Sequence, residues 1–293
     1  MPSPQQSLAE ANKNQIKLAG YGLFAQVLWV VDTEIAVKKY DEIGDASVIE
    51  KQIYERLGIH PFILHCYGEG KSIVGQGLLL QYLQAGTLAD NLKLDKFPIE
   101  RKLWPIQAVE AVRHIHSKGV IHCDISIHNF LVQNNGSIAL ADFCGSVLDN
   151  SKPFVAPATR YSRPVSPIKR PWVPARKDDI FAIGTVLYEI SVGHRLYAGK
   201  SDREVLQLFQ KREFPDTTGL AGNLRIVIEK CWRDQYDTAE EVKSDIDPEP
   251  LNYHSTHRRW ILEFVRLLLG ALVVLVALGM KYPTPSYDLT VDR

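Results

Sequence analysis

His122-Cys123-Asp124-Ile125-Ser126-Ile127-His128-Asn129-Phe130-Leu131-Val132, followed by Leu140-Ala141-Asp142-Phe143-Cys144-Gly145, decides how the chain is read. It offers an Asp, an Asn five residues on, and a second Asp after a turn at Asn134-Asn135-Gly136. Apolar runs flank all three. Phosphoryl transfer from ATP needs such a set. One carboxylate accepts the proton of the attacking hydroxyl, while an amide oxygen and a second carboxylate hold Mg²⁺ on the phosphates. Asp124 suits the base, and Asn129 and Asp142 suit the metal. Residues 130–132 and 138–140 read as two short hairpin strands that carry these groups. The plain alternative is two unrelated surface aspartates and a turn, since H-x-D-x-x-x-x-N also arises by chance.

The chain around this stretch has 293 residues, 45% hydrophobic and 23% charged, enough for one large or two small globular domains. Its formal net charge is zero, which gives no reason to expect nucleic acid as a partner. Four cysteines, Cys66, Cys123, Cys144 and Cys231, are scattered without a CxxC pair. That pattern fits a reducing compartment rather than a disulfide framework. Residues 1–15 read as a polar lead with no apolar core, so a signal peptide is not expected.

Working back from the central stretch, residues 16–31 hold two β-type runs around Gly20-Tyr21-Gly22. Glycines there let the backbone pass close over phosphates with its N–H groups facing them. A strand rather than a helix follows, which disfavours a dinucleotide-binding unit. Ile35-Ala36-Val37-Lys38-Lys39-Tyr40 is the next strand, with Ala36 and Lys38 on one face. Residues 46–57 have helical apolar spacing at Ile49, Ile53 and Leu57, and Gly58 stops them. Glu50 flanks that stripe. Helices are also expected over 105–118, 178–190, 204–211 and 224–232, with Thr238 capping a last one. The helix over 178–190 should begin on an Asp cap and end at Gly193. Residues 142–174, with six prolines, read as a surface loop.

In this order, the motifs resemble the eukaryotic protein kinase family over about residues 16–245. His122-Cys123-Asp124 stands where that family has His-Arg-Asp. Gly20-x-Gly22-x-x-Ala25-x-Val27 is similar to its glycine loop, and Ile35-Ala36-Val37-Lys38 to its V-A-I-K strand. The resemblance implies an α+β, bilobal fold: a small β-rich N-lobe with one helix over 16–83 and a larger α-helical C-lobe over 84–245. It implies ATP and Mg²⁺ as cofactors and a protein as substrate. Lys38 would hold the α- and β-phosphates and pair with Glu50, with Lys39 the competing choice. Gly20, Gly22, Val27 and Ala36 would line the nucleotide. Leu80 would be the gatekeeper, and the backbone of Gln81 and Leu83 would meet the adenine edge. His122 would brace the catalytic loop, and Asp179 would hold its backbone from below.

Several positions depart from the family pattern. Cys123 replaces an arginine that usually pairs with an activation-segment phosphate. Ser126 replaces the lysine that neutralises the γ-phosphate in serine/threonine kinases. Cys144 takes the glycine position of Asp-Phe-Gly, and Ala-Pro-Glu is missing together with its arginine partner.

Residues 267–280 form an uninterrupted apolar run. Extended to 260–282, with Arg266 snorkelling, the segment is long enough for one transmembrane helix. A linker over 246–259 would precede it and a tail over 283–293 would follow. His257-Arg258-Arg259 would keep the kinase side in the cytosol; without a span the chain would be cytoplasmic. The leading expectation is an ATP-dependent protein kinase acting on Ser or Thr hydroxyls. A pseudokinase scaffold and a small-molecule phosphotransferase of the aminoglycoside-kinase type are the alternatives.

Overall fold

Apolar alternation in five short segments builds the N-terminal sheet. In the computed structural model, which describes residues 3–41, 44–72, 75–149, 151–164 and 172–247, these are β1 (Ile16–Tyr21), β2 (Ala25–Val30), β3 (Ile35–Tyr40), β4 (Cys66–Ser72) and β5 (Gly75–Gln81). Their antiparallel order is β1-β2-β3-β5-β4. Lys38 sits mid-sheet, opposite Val27 on one side and Leu78 on the other. The two faces of the sheet are covered differently. Leu78 and Leu80 join a large core together with Ile53, Tyr54 and Leu57 of helix α2 (Asp45–Leu57). Val37 and Leu79, one residue out of phase, join a small core on the other face.

That second face is covered by part of the polar lead. Residues Pro4–Glu10 form a helix, α1, capped by Ser3, whose hydroxyl accepts from the Gln6 N–H. Leu8 and Ala11 are buried against Val30, Ile35, Val37 and Leu79. Their few apolar atoms are what the exposed sheet face lacks, and so the segment docks despite its polar composition.

The C-terminal lobe is helical: α3 (Leu88–Lys93), α4 (Trp104–Ser117), α5 (Arg176–Val192), α6 (Asp202–Gln210), α7 (Gly222–Trp232) and α8 (Ala239–Ile246). Thr238 caps α8 and Glu241 reaches back to it, as its sequence pattern predicts. Helix α5 is buried on all sides from Asp178 to Ile190. A Cβ on Gly184 would lie 2.6 Å from the Cβ of Cys231, so the close α5–α7 crossing needs glycine there. Gly193 ends α5 at φ 79°. The start of α5 differs from the expected Asp cap. The helix begins two residues earlier, at Arg176 on Pro-flanked chain, and Asp178 reaches back to accept from the Ala175 N–H at 2.8 Å.

Two small two-stranded sheets pack against α4. Strands β7 (Phe130–Val132) and β8 (Ile138–Leu140) pair as a hairpin turned at Gly136, φ 78°. Trp104 Nε1 donates to the Gly136 carbonyl at 2.8 Å and fixes the turn on α4. Strand β6 (Val120–Ile121) pairs with β9 (Val147–Leu148).

Residues 142–174 are therefore not simply a surface loop: they hold β9 and a 3₁₀ turn at Thr159–Tyr161 whose Arg160 and Tyr161 are buried. Proline density signals irregular backbone, not exposure. Among the described residues no helix is long and apolar enough to cross a membrane. The segment 260–282 and the tail 283–293 lie outside the described residues, as does the linker 246–259 beyond residue 247.

Candidate active site

The chain enters the site from α4 through Gly119, φ 77°, and β6. The backbone then bends at Cys123, which is left-handed at φ 67°. Such a conformation is costly for a side-chain-bearing residue and persists only where surroundings enforce it. Here the enforcement is Asp179 of α5, 1% exposed. Its carboxylate accepts from the N–H of His122 at 2.8 Å, the N–H of Cys123 at 3.0 Å and His116 Nε2 at 3.0 Å. His122 is buried above it. Its Nε2 meets the Ala141 carbonyl at 3.0 Å, and its Nδ1 accepts from the Asp124 N–H at 3.3 Å. The His122 ring packs 5.1 Å from Phe143, whose other side meets Tyr54 of α2 edge-on at 5.1 Å.

Asp124 is half-buried beside Asn129. The Asn129 amide nitrogen donates to the Asp124 carboxylate at 2.9 Å and to its carbonyl at 2.7 Å. With that nitrogen engaged, the amide oxygen of Asn129 is the atom left to meet a cation. Burial raises the Asp124 pKa above the usual carboxylate value, helped by the negative charge of Asp142 and opposed by His122 and Asn129. A more basic carboxylate is a better proton acceptor.

Across the cleft, Lys38 is 5% exposed and joins two carboxylates. Its Nζ lies 2.8 Å from Glu50 and 2.6 Å from Asp142. Burial alone would lower the Lys38 pKa; Glu50 and Asp142 outweigh it and hold the ammonium above its ordinary value. Lys39 points to the other face, where its stem lies near Gly75. Asp142 is left-handed at φ 64°, and its side chain is 47% exposed to the cleft. Desolvation works to raise its pKa, but the Lys38 charge wins and holds it below the usual range. The carboxylate is thus ionised and accessible, as a Mg²⁺ ligand must be.

The nucleotide-side residues come together as follows. Ala36 and Leu80 are buried neighbours across the β3–β5 pair, and Val27 lies opposite Lys38. A Cβ on Gly20 would meet nothing within 4 Å, and one on Gly22 only ordinary contact. The chain's own packing does not require glycine at either place, which leaves room for a phosphate-bearing ligand to approach the backbone. The Gln81 N–H donates to the His65 carbonyl at 2.9 Å, so of its two backbone groups only the carbonyl remains a candidate for adenine. Leu83 is buried, and the Gly86 N–H closes a turn onto its carbonyl at 3.1 Å.

The departures acquire physical explanations here. Cys144 is buried and not left-handed, so the absent glycine brings no backbone strain in this conformation. Burial pushes its thiol up to about 12, which keeps it neutral. Gly145 is the position that needs glycine, since a Cβ would lie 2.0 Å from a Val155 methyl. Ser126 is buried and brings no charge to the cleft.

Contacts that sequence reasoning missed hold the segment after Asp142. Arg160 pairs with Asp202 and donates to the Leu196 carbonyl at 2.9 Å. Arg163 reaches Asp178 at 2.8 Å and Asp234 at 3.2 Å. The Tyr161 hydroxyl donates to buried Glu189 at 2.7 Å. The run Arg160-Tyr161-Ser162-Arg163 was the available signal, with aspartates at 178, 202 and 234 as partners.

A two-lobed fold with a Lys–Glu–Asp cluster facing an Asp–Asn pair defines the protein kinase class. The chain belongs to the protein kinase domain family, whose family model matches residues 13–245. It is 35% identical over 143 residues to mitogen-activated protein kinase kinase kinase 20 of Arabidopsis thaliana, covering 42% of this chain and 41% of that protein. It is 25% identical over 238 residues to serine/threonine-protein kinase PrkC of Bacillus subtilis, covering 74% and 36%. It is 32% identical over 158 residues to Aurora kinase A-B of Xenopus laevis, covering 53% and 38%. The chain thus spans about two fifths of the length of these relatives.

Proposed function

We propose that this chain transfers the γ-phosphate of ATP to a Ser or Thr hydroxyl of a protein substrate. The observation that carries this reading is the buried bridge from Glu50 through Lys38 to Asp142, set across the cleft from Asp124 and Asn129. Lys38 orients the α- and β-phosphates. Gly20, Gly22 and Val27 cover the nucleotide, Ala36 and Leu80 enclose adenine, and the Gln81 carbonyl and Leu83 N–H meet its edge. Asn129 and Asp142 would hold Mg²⁺, which supplies positive charge at the phosphates. Asp124 takes the proton of the attacking hydroxyl, its carboxylate aimed by Asn129. Ser/Thr preference is the reading favoured by similarity to kinases named for that specificity. The test is γ-phosphate transfer by the purified full chain to generic protein substrates, beside Asp124→Asn. Transfer by the wild type that is lost in the variant supports the reading. No transfer, with nucleotide still bound, would favour a binding scaffold, a reading for which uncharged Ser126 speaks.

Activation should not need phosphorylation of Thr159, Tyr161 or Ser162. Cys123 offers no cation, and the arginines that could substitute, Arg160 and Arg163, are already paired with carboxylates. Phosphatase treatment of purified enzyme is expected to leave the rate unchanged; a tenfold fall, roughly a 1.4 kcal/mol effect, would show a phosphate at work. Ser166 lies outside the described residues.

We also propose, from its apolar run, that 260–282 anchors the chain in a membrane with the kinase domain in the cytosol. The full chain should then stay with membranes in alkaline carbonate. Release into the supernatant would end that reading.

A further inference from the structure

Lys38 and Tyr40 lie two residues apart on β3, so both side chains leave the sheet on the face that α2 covers. Glu50 of α2, fully buried, meets both. Lys38 Nζ reaches both carboxylate oxygens, at 2.9 and 2.8 Å; the first oxygen also accepts from the Phe143 N–H at 3.1 Å, and the second from the Tyr40 hydroxyl at 2.6 Å. The cluster holds two carboxylates, Glu50 and Asp142, around a single ammonium. A neutral phenol donor therefore satisfies Glu50 where a second cation is absent. Burial and the Glu50 charge both raise the Tyr40 pKa, so its hydroxyl keeps its proton. Among the described residues, the other ion pairs from α2 to the rest of the chain are Lys51 to Glu69 and Arg56 to Asp149, all between side chains more than a third exposed. Pairs of that kind contribute little.

We infer that Tyr40 is a positioning residue: its hydroxyl holds Glu50, and with it α2, in place while Lys38 is shared between Asp142 and the phosphates of bound nucleotide. The nucleotide half of this statement rests on the proposed function. The tether itself does not. Lys38 has to divide its attention once phosphates arrive, and Glu50 then loses part of its ion pair. Among the described residues the Tyr40 hydroxyl bonds to Glu50 alone, and it keeps the carboxylate satisfied.

Tyr40→Phe in the full chain tests this, since it removes only the hydroxyl. Losing one hydrogen bond to a charged acceptor should lower kcat by about tenfold, with KM for ATP changed by less than about twofold. Amide exchange within α2 of the nucleotide-free protein should speed up by about tenfold, with α5 unaffected. In a Glu50→Gln background, where the hydroxyl meets a neutral amide oxygen in place of a carboxylate, the substitution should add clearly less to α2 exchange. Unchanged α2 exchange overturns the inference. So does an equal loss of protection in α5, a variant that does not fold, or an effect undiminished by Glu50→Gln. If the wild type transfers no phosphate, the proposed function fails, and α2 exchange still decides the tether.

Discussion

Asp142→Asn is expected to cut phosphoryl transfer by about 10³-fold, the scale of losing a preorganised electrostatic group at the reacting centre. The fold should survive. Asp142 is half exposed, and Lys38 keeps its 2.8 Å contact to Glu50 when the second carboxylate becomes an amide. Lys38→Met should lose transfer on a similar scale, but it is the less clean experiment. It strands a fully buried Glu50 carboxylate. Breaking such a pair from one side costs about 3–5 kcal/mol. The Tyr40 hydroxyl and the Phe143 N–H would soften that loss without removing it. Transfer assays paired with thermal melts separate the two variants: both inactive, only Lys38→Met destabilised. Asp142→Asn with activity within tenfold of wild type would show that the metal-binding assignment is wrong.

Much of this arrangement is legible in the sequence because it depends on local pattern. The hairpin of β7 and β8 follows from two three-residue apolar runs around Asn134-Asn135-Gly136, and its observed bounds match. The register of Lys38 over Lys39 follows from strand alternation once Ala36 is assigned to the cleft face. The all-round apolar character of α5 marks it as a buried central helix. Other features are illegible for a shared reason: they depend on partners distant in the chain. Leu8 is one apolar residue in a polar segment, and only the uncovered sheet face makes it a core residue. Arg160 and Asp202 lie 42 residues apart, and nothing local to either indicates the pair. Tyr40 is similar. Its ring suits any strand, and only the position of Glu50 makes its hydroxyl significant. The three paired residues 160, 163 and 161 also show how residues 159–163 are held without Ala-Pro-Glu and its arginine partner. Different ion pairs and a Tyr–Glu hydrogen bond hold the same stretch.

Asp179→Ala is expected to be the most destabilising single substitution in the site, by about 3–5 kcal/mol. The carboxylate accepts from two backbone N–H groups and one imidazole, and all three belong to buried residues. Alanine removes every acceptor at once. Each buried donor left unsatisfied costs about 1–3 kcal/mol, with partial relief wherever water can enter. The left-handed backbone at Cys123 adds to this, because the carboxylate is what holds it. Asp179→Asn should cost less. Its amide oxygen can still accept from the Cys123 N–H, while its amide nitrogen can donate to His116 Nε2 if that ring moves its proton to Nδ1. Among the described residues, Nδ1 of His116 has no hydrogen-bond partner, so that tautomer displaces none of the bonds described. Denaturant midpoints should therefore fall in the order wild type, Asn, Ala. Activity should fall in the same order, because the loop that loses its clamp is the one that aims Asp124. A loss below about 1 kcal/mol for Ala, the level of an ordinary exposed hydrogen bond, would mean that the His122–Cys123 backbone finds other acceptors and that Asp179 does not set the geometry of the catalytic loop.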